Sequence, residues 1–487
     1  MSAESDSTYN GLDLTVFQLR PISPSGNILD GANAVLMNIL TYFAKLGVRT
    51  VVHHPATLDR SEAFDLGPGI RVEPVSPMLF TSDSGSLWAD PMSHAAAIER
   101  IRESVGRSDR FYVHGANLPY SDPAAACPTI HSVHDFVYHE AVTGVLNFSR
   151  DRLIAVSEYT GSCIREVLNR VRPISNGSLH VIPNGFSAER FTRGSASSLR
   201  KRLGVTEADI CLLYPHRSDP DKGIKAAIET IHHLKFLLPA KLHSRLRLLV
   251  PAWQPPRFGR NGPDHLTLPP EIQVYASDTG VADNIHVHDW VSPEEMPDYY
   301  SIGVATLCLG RVPEAFGNVH IESSLTGTPV VVARVGAQRT SIPDHLVRKV
   351  DPGQVEQAAS HVAEIILKSE RVSSELRQFL LDKYSLDRML LGYRAAILDC
   401  ETQVPVTFST SPEITVESMI RIPPWAAALE SGYFHDYSGY SSDTTLLRHI
   451  PEIAKDISVG ELLRYEDIDV KTLQRWIDAG LVATGPG

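Results

Sequence analysis

Short apolar segments alternate with longer amphipathic ones along the first 400 residues. Residues 12–19 (LDLTVFQL) and 48–55 (VRTVVHHP) are apolar and rich in β-branched side chains, so we predict a buried strand at each. Between them, five apolar residues recur at helical spacing: Val35, Leu36, Ile39, Leu40 and Phe43. Gly47 ends this helix. A strand, a helix and a second strand in this order form a βαβ unit of a parallel sheet.

The same alternation continues through two series of strands. The first series is predicted at residues 110–115, 128–136, 152–157 and 180–185, and it completes an α/β domain over residues 1–190. The second series is predicted at residues 210–217, 246–252, 285–291, 304–309 and 329–333. Together with helices at 224–238 and 385–401, it forms a second α/β domain over residues 191–403. A polar linker and a small, mainly helical module fill residues 404–487.

Two consecutive doubly wound domains predict where chemistry takes place. Open parallel sheets bind ligands outside the carboxyl ends of their strands. If two such sheets face each other, these edges line an interdomain cleft. Functional side chains should therefore follow directly after strands.

Composition and charge narrow the function classes. Hydrophobic residues make up 43% and charged residues 21% of the chain, as in ordinary globular proteins. The net charge of −12 argues against general nucleic-acid binding. No apolar run reaches the length of a membrane span, and the polar, acidic N-terminus does not resemble a signal peptide. The five scattered cysteines show no metal-ligand spacing, so we expect buried, reduced thiols in a cytoplasmic protein.

Two glutamates flank a predicted helix start in residues 311–333 (RVPEAFGNVHIESSLTGTPVVVA). Glu314 lies in a loop bounded by proline and glycine, and Glu322 lies inside the following short helix. A carboxylate can accept two hydrogen bonds from a vicinal diol, which suits sugar recognition. Taken alone, each acid also fits an ordinary role, Glu314 as a partner of the helix dipole and Glu322 as a solvated helix residue.

In combination with other segments, this stretch resembles the retaining GT-B glycosyltransferases of family 4. The resemblance covers roughly residues 12–400 and rests on segments that occur in the family's order. These segments are SGNILDG, PTIHSVHDF, RLIAVSEYT, VIPNGFSAERF, PHRSDPDKG and VHDWVSPEEMPDYYS, followed by the acidic stretch. Gly336-Ala337 stands where the family usually has a double glycine. The resemblance implies the GT-B fold, two facing Rossmann-like domains, here with an appended helical module.

The resemblance also implies roles for the acidic stretch. Glu314 corresponds to the acid that holds hydroxyls of the donor sugar, and Glu322 to the acid that holds the ribose of the nucleotide. Between them, Phe316, Gly317, Asn318 and Val319 offer backbone N–H groups at a helix start.

Two cations follow a strand of the second domain. Arg217 and Lys222 match the family's clamp on the donor diphosphate, and preorganised cations there stabilise the charge that develops on the leaving group. Without the resemblance, they would be ordinary surface cations. In the first domain, Gly26 matches the loop that lets backbone N–H groups approach the donor phosphates, although a lone glycine after a strand is usually a simple turn.

His134 matches the family histidine that lies near the donor sugar and the reacting centre. A histidine at a strand end is also a common structural feature. His114 is a weaker candidate, for which a hydrogen-bonded strand-end role is at least as good an interpretation. The catalytic set implied by the resemblance is thus His134, Arg217, Lys222 and Glu314.

The implied activity is transfer of a hexosyl-type sugar from a nucleoside-diphosphate sugar, with retention at the anomeric carbon. The sugar nucleotide is a substrate, and no cofactor is expected. We also expect metal independence. A small soluble acceptor is favoured over a lipid. The alternatives are a GT-B nucleotide-sugar epimerase or phosphorylase, or a sugar-nucleotide-binding regulator.

The C-terminal tail bears on the regulator alternative. Ser458 and Glu461 predict a capping box that begins one short helix, and Gly480 ends a second, in an outline similar to a helix-turn-helix of the MerR type. However, residues 404–487 contain 6 basic against 12 acidic residues, so DNA phosphates would repel this tail. We therefore predict a packing or protein-interaction module that docks on the catalytic domains, lines the acceptor side or pairs two subunits as a homodimer. An appended domain without separate activity fits equally well.

Overall fold

The computed structural model describes residues 9–23, 31–56, 61–76, 80–81, 87–88, 90–115, 127–171, 177–216, 220–252, 267–402 and 413–485. The chain divides into two units. The N-terminal unit comprises Met1–Gly185 and Leu386–Glu413, and the C-terminal unit comprises Phe186–Ser385 and Ile414–Gly487.

The strands group into two large parallel sheets and three small antiparallel ones. In chain order they are β1 Asp13–Gln18, β2 Arg49–Pro55, β3 Phe64–Gly67, β4 Ile70–Val75, β5 Phe80–Thr81, β6 Leu87–Trp88, β7 Arg110–His114, β8 Thr129–Val133, β9 Arg152–Ala155, β10 Leu179–Val181, β11 Ile210–Leu213, β12 Leu246–Pro251, β13 Ile285–His288, β14 Ala305–Cys308, β15 Val330–Ala333, β16 Arg348–Val350, β17 Met419–Arg421, β18 Ala426–Leu429, β19 Gly432–His435, β20 Gly439–Tyr440, β21 Ile457–Ser458 and β22 Ala483–Gly485.

Most helices connect successive parallel strands. The α-helices are α1 Gly31–Lys45, α2 Pro91–Val105, α3 His139–Leu146, α4 Glu158–Val171, α5 Ser197–Leu203, α6 Ile224–Leu237, α7 Pro270–Asp278, α8 Met296–Ile302, α9 Asn318–Leu325, α10 Val355–Lys368, α11 Ser374–Lys383, α12 Leu386–Ile397, α13 Thr444–Ile453, α14 Val459–Leu462 and α15 Val470–Asp478. Short 3₁₀ turns lie at Pro220–Lys222, Ala240–Arg245, Ala282–Asn284, Pro293–Glu295 and Gly336–Arg339.

The sheet of the N-terminal unit has the order β10-β9-β8-β7-β1-β2-β4-β3, and only the edge strand β3 is antiparallel to its neighbour. All six strands predicted for this domain are confirmed. The pattern missed β3 and β4, because charged residues interrupt both short segments. The order changes direction between β1 and β7, so this unit has its topological switch point there.

Helix α12 belongs to the N-terminal unit, which differs from the predicted domain boundaries. The sequence pattern predicts it in the second domain, residues 191–403. Instead, Met389, Tyr393 and Ile397 are buried in the core that also contains Ile39 and Phe43 of α1. Its apolar stripe fits this core, so the chain returns to the first unit before the tail begins.

The sheet of the C-terminal unit has the order β13-β12-β11-β14-β15-β16 and is entirely parallel. Numbered within the unit this is 3-2-1-4-5-6, the order of Rossmann sheets, with the switch point between β11 and β14. The five predicted strands are confirmed, and β16 adds a sixth. Apolar residues from both the sheet and the helices α6 and α10 form one core.

The tail is part of the C-terminal unit. The two predicted helices are confirmed as α14 and α15, with the capping box of Ser458 and Glu461 in place. The tail is less helical than predicted, because it also contains two three-stranded antiparallel sheets, β21-β17-β22 and β18-β19-β20. Their strands have two to four residues, too few to show a periodic pattern. The fully buried Trp476 lies in the tail's own hydrophobic core, and its indole N–H donates to Asp443.

Two further expectations concern the whole chain. Among the helices of the described segments, none combines the length and the apolar character that crossing a membrane requires. All five cysteines are buried, and none forms a disulfide.

Candidate functional site

The loops after β11 and β14 meet at the switch point of the C-terminal unit, and Gly223 makes this contact possible. Gly223 has a φ of +87°, and a Cβ atom there would lie 2.5 Å from the carbonyl carbon and oxygen of Leu309. Any other residue would therefore force the two loops apart. Because of this close approach, Lys222 from one loop can reach Glu314 from the other.

A third loop, after β15, packs against the backbone of Glu314. Gly336 has a φ of +54°, and a Cβ atom there would lie 2.8 Å from the backbone nitrogen and oxygen of Glu314. The neighbouring Ala337 N–H donates a 2.9 Å hydrogen bond to the Glu314 carbonyl oxygen. Glu314 is thus held by loops that follow three adjacent strands.

Lys222 and Glu314 form an ion pair with 2.6 Å between Nζ and Oε1. Their side chains keep 29% and 24% of their exposure, so the pair is largely but not fully shielded from solvent. Burial alone would raise the pKa of Glu314, but the charge of Lys222 and its hydrogen bond outweigh burial and hold that pKa below its ordinary value. Glu314 is therefore a carboxylate at neutral pH.

Helix α9 begins directly after this carboxylate. Gly317 caps it with a φ of +83°, and Asn318 and Val319 form its first turn. The side chain of Phe316 is only 4% exposed and packs between Phe186 and Tyr384, at ring-centroid distances of 6.0 and 5.3 Å. Phe316 therefore anchors the loop, and what this segment can offer a ligand is backbone N–H groups and the helix dipole.

Glu322 lies one turn further along α9 in a different electrostatic setting. Burial raises its pKa, and the opposing effects of a hydrogen bond from Tyr300 and of the more distant Arg190 do not fully compensate. The Tyr300 hydroxyl donates to Glu322 Oε2 at 2.7 Å. The two predicted acids therefore have pKa values shifted in opposite directions.

In the N-terminal unit, two histidines meet where β7 and β8 end. The rings of His114 and His134 lie 4.1 Å apart. His114 Nε2 is 2.9 Å from the carbonyl oxygen of Ala32, in the first turn of α1, and its Nδ1 is 2.8 Å from the Tyr112 hydroxyl. Since a carbonyl can only accept, Nε2 of His114 carries the proton, and in neutral His114 the Tyr112 hydroxyl donates to Nδ1.

This arrangement fixes the tautomer of neutral His134. The Tyr112 hydroxyl has one proton and donates it to His114. The Ser132 hydroxyl, whose oxygen lies 2.8 Å from Tyr112 Oη, must therefore be the donor in the contact with Tyr112. Ser132 Oγ then accepts from Gly115 N–H at 3.2 Å and from His134 Nε2 at 3.0 Å. Burial, followed by His114 and Arg20, lowers the pKa of His134 well below its ordinary value. His134 is therefore neutral, and its Nδ1 carries the lone pair.

The structure thus assembles most of the predicted site residues within their units. Lys222, Glu314, the α9 start and Glu322 lie together near one end of the C-terminal sheet, and His134 lies at the strand ends of the N-terminal sheet. Gly26 and Arg217 fall outside the described residues. The weaker candidate His114 turns out to be in direct ring contact with His134.

Sequence reasoning missed His216, His320 and Tyr300. Burial lowers the pKa of His216 to about 4 and that of His320 to about 3, so both are neutral neighbours of Glu314. The position of His216 next to Arg217 was the available signal. Nothing in the sequence marked Tyr300, which lies on a different helix from its partner Glu322. Across the described segments, no three His, Cys, Asp or Glu residues cluster in a way that could hold a metal ion.

Comparison with known proteins agrees with this architecture. The description "Glycosyltransferase Family 4" matches residues 29–190, and "Glycosyl transferases group 1" matches residues 196–378. Two Rossmann-like units form the GT-B fold of the glycosyltransferases that this chain resembles in structure. The chain belongs to glycosyltransferase family 4, the group 1 glycosyl transferases.

Individual relatives are distant. A D-inositol 3-phosphate glycosyltransferase of Geodermatophilus obscurus is 25% identical over 77% of this chain and 86% of its own length. A lipopolysaccharide 1,2-N-acetylglucosaminetransferase of Salmonella typhimurium is 22% identical over 62% of this chain and 76% of its own.

Solved structures with the same fold include a sucrose-phosphate synthase from Thermosynechococcus elongatus. It has a TM-score of 0.60 at 16% identity, and the match covers 78% of this chain and 97% of that one. Anabaena HepE in complex with UDP and glucose has a TM-score of 0.59 at 17% identity, over 78% and 98% of the two chains.

The ion pair at the site generates a stability prediction. In Lys222→Met the carboxylate of Glu314 stays partly buried without its partner, so we expect a loss of about 1–3 kcal/mol at neutral pH. For a domain of this size, each kcal/mol of lost stability lowers the melting temperature by roughly 2–4 °C. Since the folded pKa of Glu314 is lowered, the pair stabilises above the ordinary glutamate pKa. Its contribution should vanish as the pH falls through the folded pKa.

Melting curves at neutral and acid pH measure this effect. The double variant Lys222→Met/Glu314→Gln should recover part of the loss, because it removes the unpaired charge. Lys368→Met is the matched control, since it breaks only the exposed pair with Glu364 and should cost under about 0.5 kcal/mol. Equal melting temperatures of Lys222→Met and wild type at neutral pH would contradict the prediction.

Proposed function

We propose that this glycosyltransferase uses a nucleoside-diphosphate sugar as donor and transfers the sugar with retention at the anomeric carbon. The observation that carries the proposal is the ionised Glu314, paired with Lys222 beside the start of α9 at the switch point of a Rossmann sheet. Open parallel sheets bind their ligands at this place. The carboxylate suits sugar hydroxyls and the cation suits a diphosphate. The backbone N–H groups at the helix start suit further hydroxyls or phosphate oxygens.

The two acids divide the donor between them in this proposal. Glu314 accepts hydrogen bonds from hydroxyls of the transferred sugar. Glu322, inside α9, accepts hydrogen bonds from the vicinal hydroxyls of the ribose. The start of α9 lies between them in sequence, which separates the sugar end from the nucleoside end.

The diphosphate is held by cations. Lys222 and Arg217 stabilise the negative charge that the leaving nucleoside diphosphate gains in the transition state. Lys222 pairs with the Glu314 carboxylate, which positions its ammonium group beside the start of α9. In this proposal, these two side chains supply the positive charge for which other transferases use a metal ion.

His134 contributes as a neutral acceptor. Its proton on Nε2 is directed at Ser132, so Nδ1 can accept a hydrogen bond from a donor-sugar hydroxyl. The lowered pKa keeps the ring neutral, so it adds no positive charge next to the reacting carbon.

Retention follows from attack on the same face that the leaving group occupies. The bond between the anomeric carbon and the phosphate oxygen breaks, and the bond to the acceptor atom forms on that face. The acceptor's proton passes to the leaving phosphate oxygen, so no protein side chain is needed as a base. A small, soluble, polar acceptor is proposed, and the relative described as a D-inositol 3-phosphate glycosyltransferase supports this class.

A panel of nucleotides tests the donor proposal. We expect one of UDP, GDP, ADP and dTDP to raise the melting temperature, because a ligand at 100 times its dissociation constant stabilises by about 2.7 kcal/mol. The structural neighbour HepE, which was crystallised with UDP and with UDP-glucose, makes UDP the first nucleotide to try. If none of the four nucleotides shifts the melting temperature, the nucleoside-diphosphate proposal is wrong.

The division of labour between the acids predicts different defects in two variants. Glu322→Ala should mainly weaken binding of the free nucleotide selected by the panel, because the ribose contact is lost. Glu314→Ala should mainly lower turnover and leave nucleotide binding largely intact. Calorimetric titration and rate measurements on both variants decide this, with Glu364→Ala on the exposed face of α10 as control. A greater loss of nucleotide affinity in Glu314→Ala than in Glu322→Ala would reverse the assignment.

Metal independence is also testable. With EDTA present, the melting shift caused by the selected nucleotide and the turnover of the donor should both persist, because Lys222 and Arg217 meet the diphosphate charge. The matched measurement adds Mg²⁺ or Mn²⁺ after EDTA. Loss of the nucleotide shift in EDTA and its recovery with either metal would show that a metal ion carries this role.

A further inference from the structure

The segment Gly336–Arg339 connects the tail to the candidate site. On one side, Ala337 donates to the carbonyl oxygen of Glu314, and Gly336 packs against the Glu314 backbone. On the other side, the same turn contacts Asp436, which lies just after β19 in the tail. One short turn is therefore shared by the proposed sugar-binding carboxylate and the appended module.

A buried ion pair connects the tail to this turn. The Arg339 guanidinium donates through Nη2 to Asp436 Oδ1, and their side chains are 14% and 0% exposed. Nη1 of Arg339 lies 3.2 Å from the Pro424 carbonyl oxygen and 3.3 Å from that of Ala426. Gly336 N–H makes a longer contact of 3.4 Å to the same carboxylate oxygen. Oxygen atoms of the tail thus accept from both terminal nitrogens of Arg339 and from the backbone N–H of Gly336.

The contact continues on both sides of the ion pair. Phe434 of the tail packs with Ala333 and Val335, the residues that lead from β15 into the turn. Ser431 N–H donates to Asp351 Oδ2 at 3.0 Å, and the Tyr440 hydroxyl donates to the Pro352 carbonyl oxygen at 3.1 Å. The apolar contact and these polar contacts together hold the tail against the segments that follow β15 and β16.

Electrostatics makes Asp436 necessary for the loop. Lys349 is almost completely buried beneath the turn, and its ammonium group donates to the carbonyl oxygens of Arg339 and Ile342 and to Asp344. Burial lowers the pKa of Lys349, and the neighbouring Arg334 and Arg339 lower it further, against the effect of Asp344. Without Asp436, the Arg339 guanidinium would remain shielded from solvent beside this second cation, which is costly.

From these contacts we propose that Asp436 is a positioning residue for Glu314. It touches no substrate. It holds the turn Gly336–Arg339 against the Glu314 backbone, so that the carboxylate stays within reach of Lys222. The catalytic consequence rests on the proposed function of Glu314, but the geometric consequence, the strength of the Lys222–Glu314 pair, does not. The tail is then a structural part of the donor site.

The decisive measurement is the coupling between Lys222 and Glu314 in two backgrounds. A double-mutant cycle of Lys222→Met and Glu314→Gln, read as melting temperatures, gives this coupling in wild type and again in Asp436→Ala. We expect the coupling to fall to about half or less in Asp436→Ala. Asp436→Asn keeps an oxygen acceptor without the charge, so the coupling in this variant should lie between those of wild type and Asp436→Ala. If Asp436→Ala does not fold, the coupling is measured in Asp436→Asn instead.

The matched control is Asp467→Ala. Asp467 also accepts hydrogen bonds within the tail, from His449 at 2.9 Å and from Arg448, but these contacts stay inside the tail. It should lower the melting temperature without changing the coupling. An unchanged coupling in Asp436→Ala, or an equal loss of coupling in Asp467→Ala, would overturn the proposal, since the tail would then act only through general stability.

Kinetics separates this inference from the proposed function. With the donor of the nucleotide selected from UDP, GDP, ADP and dTDP, Asp436→Ala should lower kcat about tenfold. The affinity for that free nucleotide should change less than about twofold, because Glu322 is not held by the turn. If coupling falls but Glu314→Gln itself turns over at the wild-type rate, the positioning role stands and the proposed role of Glu314 fails.

Discussion

The candidate site depends on the close approach of three loops at the switch point of the C-terminal sheet. Parallel strands bring their carboxyl ends to one edge, but the loops meet only because Gly223 and Gly336 have no side chains. This approach places a lysine and a glutamate from different loops 2.6 Å apart. The ion pair in turn keeps Glu314 charged in spite of burial. A change in any of the three loops would therefore reach the electrostatics of the site.

The acids and histidines of the site have pKa values that are shifted in different directions, and burial and neighbouring charges explain these shifts. Glu314 is stabilised as a carboxylate by a lysine, whereas burial raises the pKa of Glu322 in spite of the hydrogen bond from Tyr300 and the charge of Arg190. The histidines around Glu314, His216 and His320, are neutral because burial lowers their pKa values. The described cation that pairs with Glu314 is Lys222. A diphosphate would meet a localised cation there, and sugar hydroxyls would meet neutral donors and a carboxylate.

Sequence patterns predicted the parallel strands and the residues in the loops that follow them. Apolar runs marked the parallel strands, and residues that directly follow them, such as Lys222 and Glu314, converge because the fold brings strand ends together. The contact of His114 with His134 required the register of β7 and β8, which sequence alone does not give. Tyr300 and Glu322 meet across two helices, and α12 returned to the first unit because its apolar face fits α1. Such contacts depend on tertiary packing and leave no periodic signal.

The tail illustrates how the same property can exclude one function and support another. Its excess of acidic residues argues against contact with DNA phosphates. Within the protein, one of these acids, Asp436, pairs with Arg339 of the loop after β15, close to the further cations Arg334 and Lys349. A buried cation requires a partner. Arg334 pairs with Asp344 and Asp351 outside the tail, whereas Arg339 pairs with Asp436 of the tail. The burial of Asp436 is therefore explained by this intramolecular contact, which gives a partner to a shielded arginine.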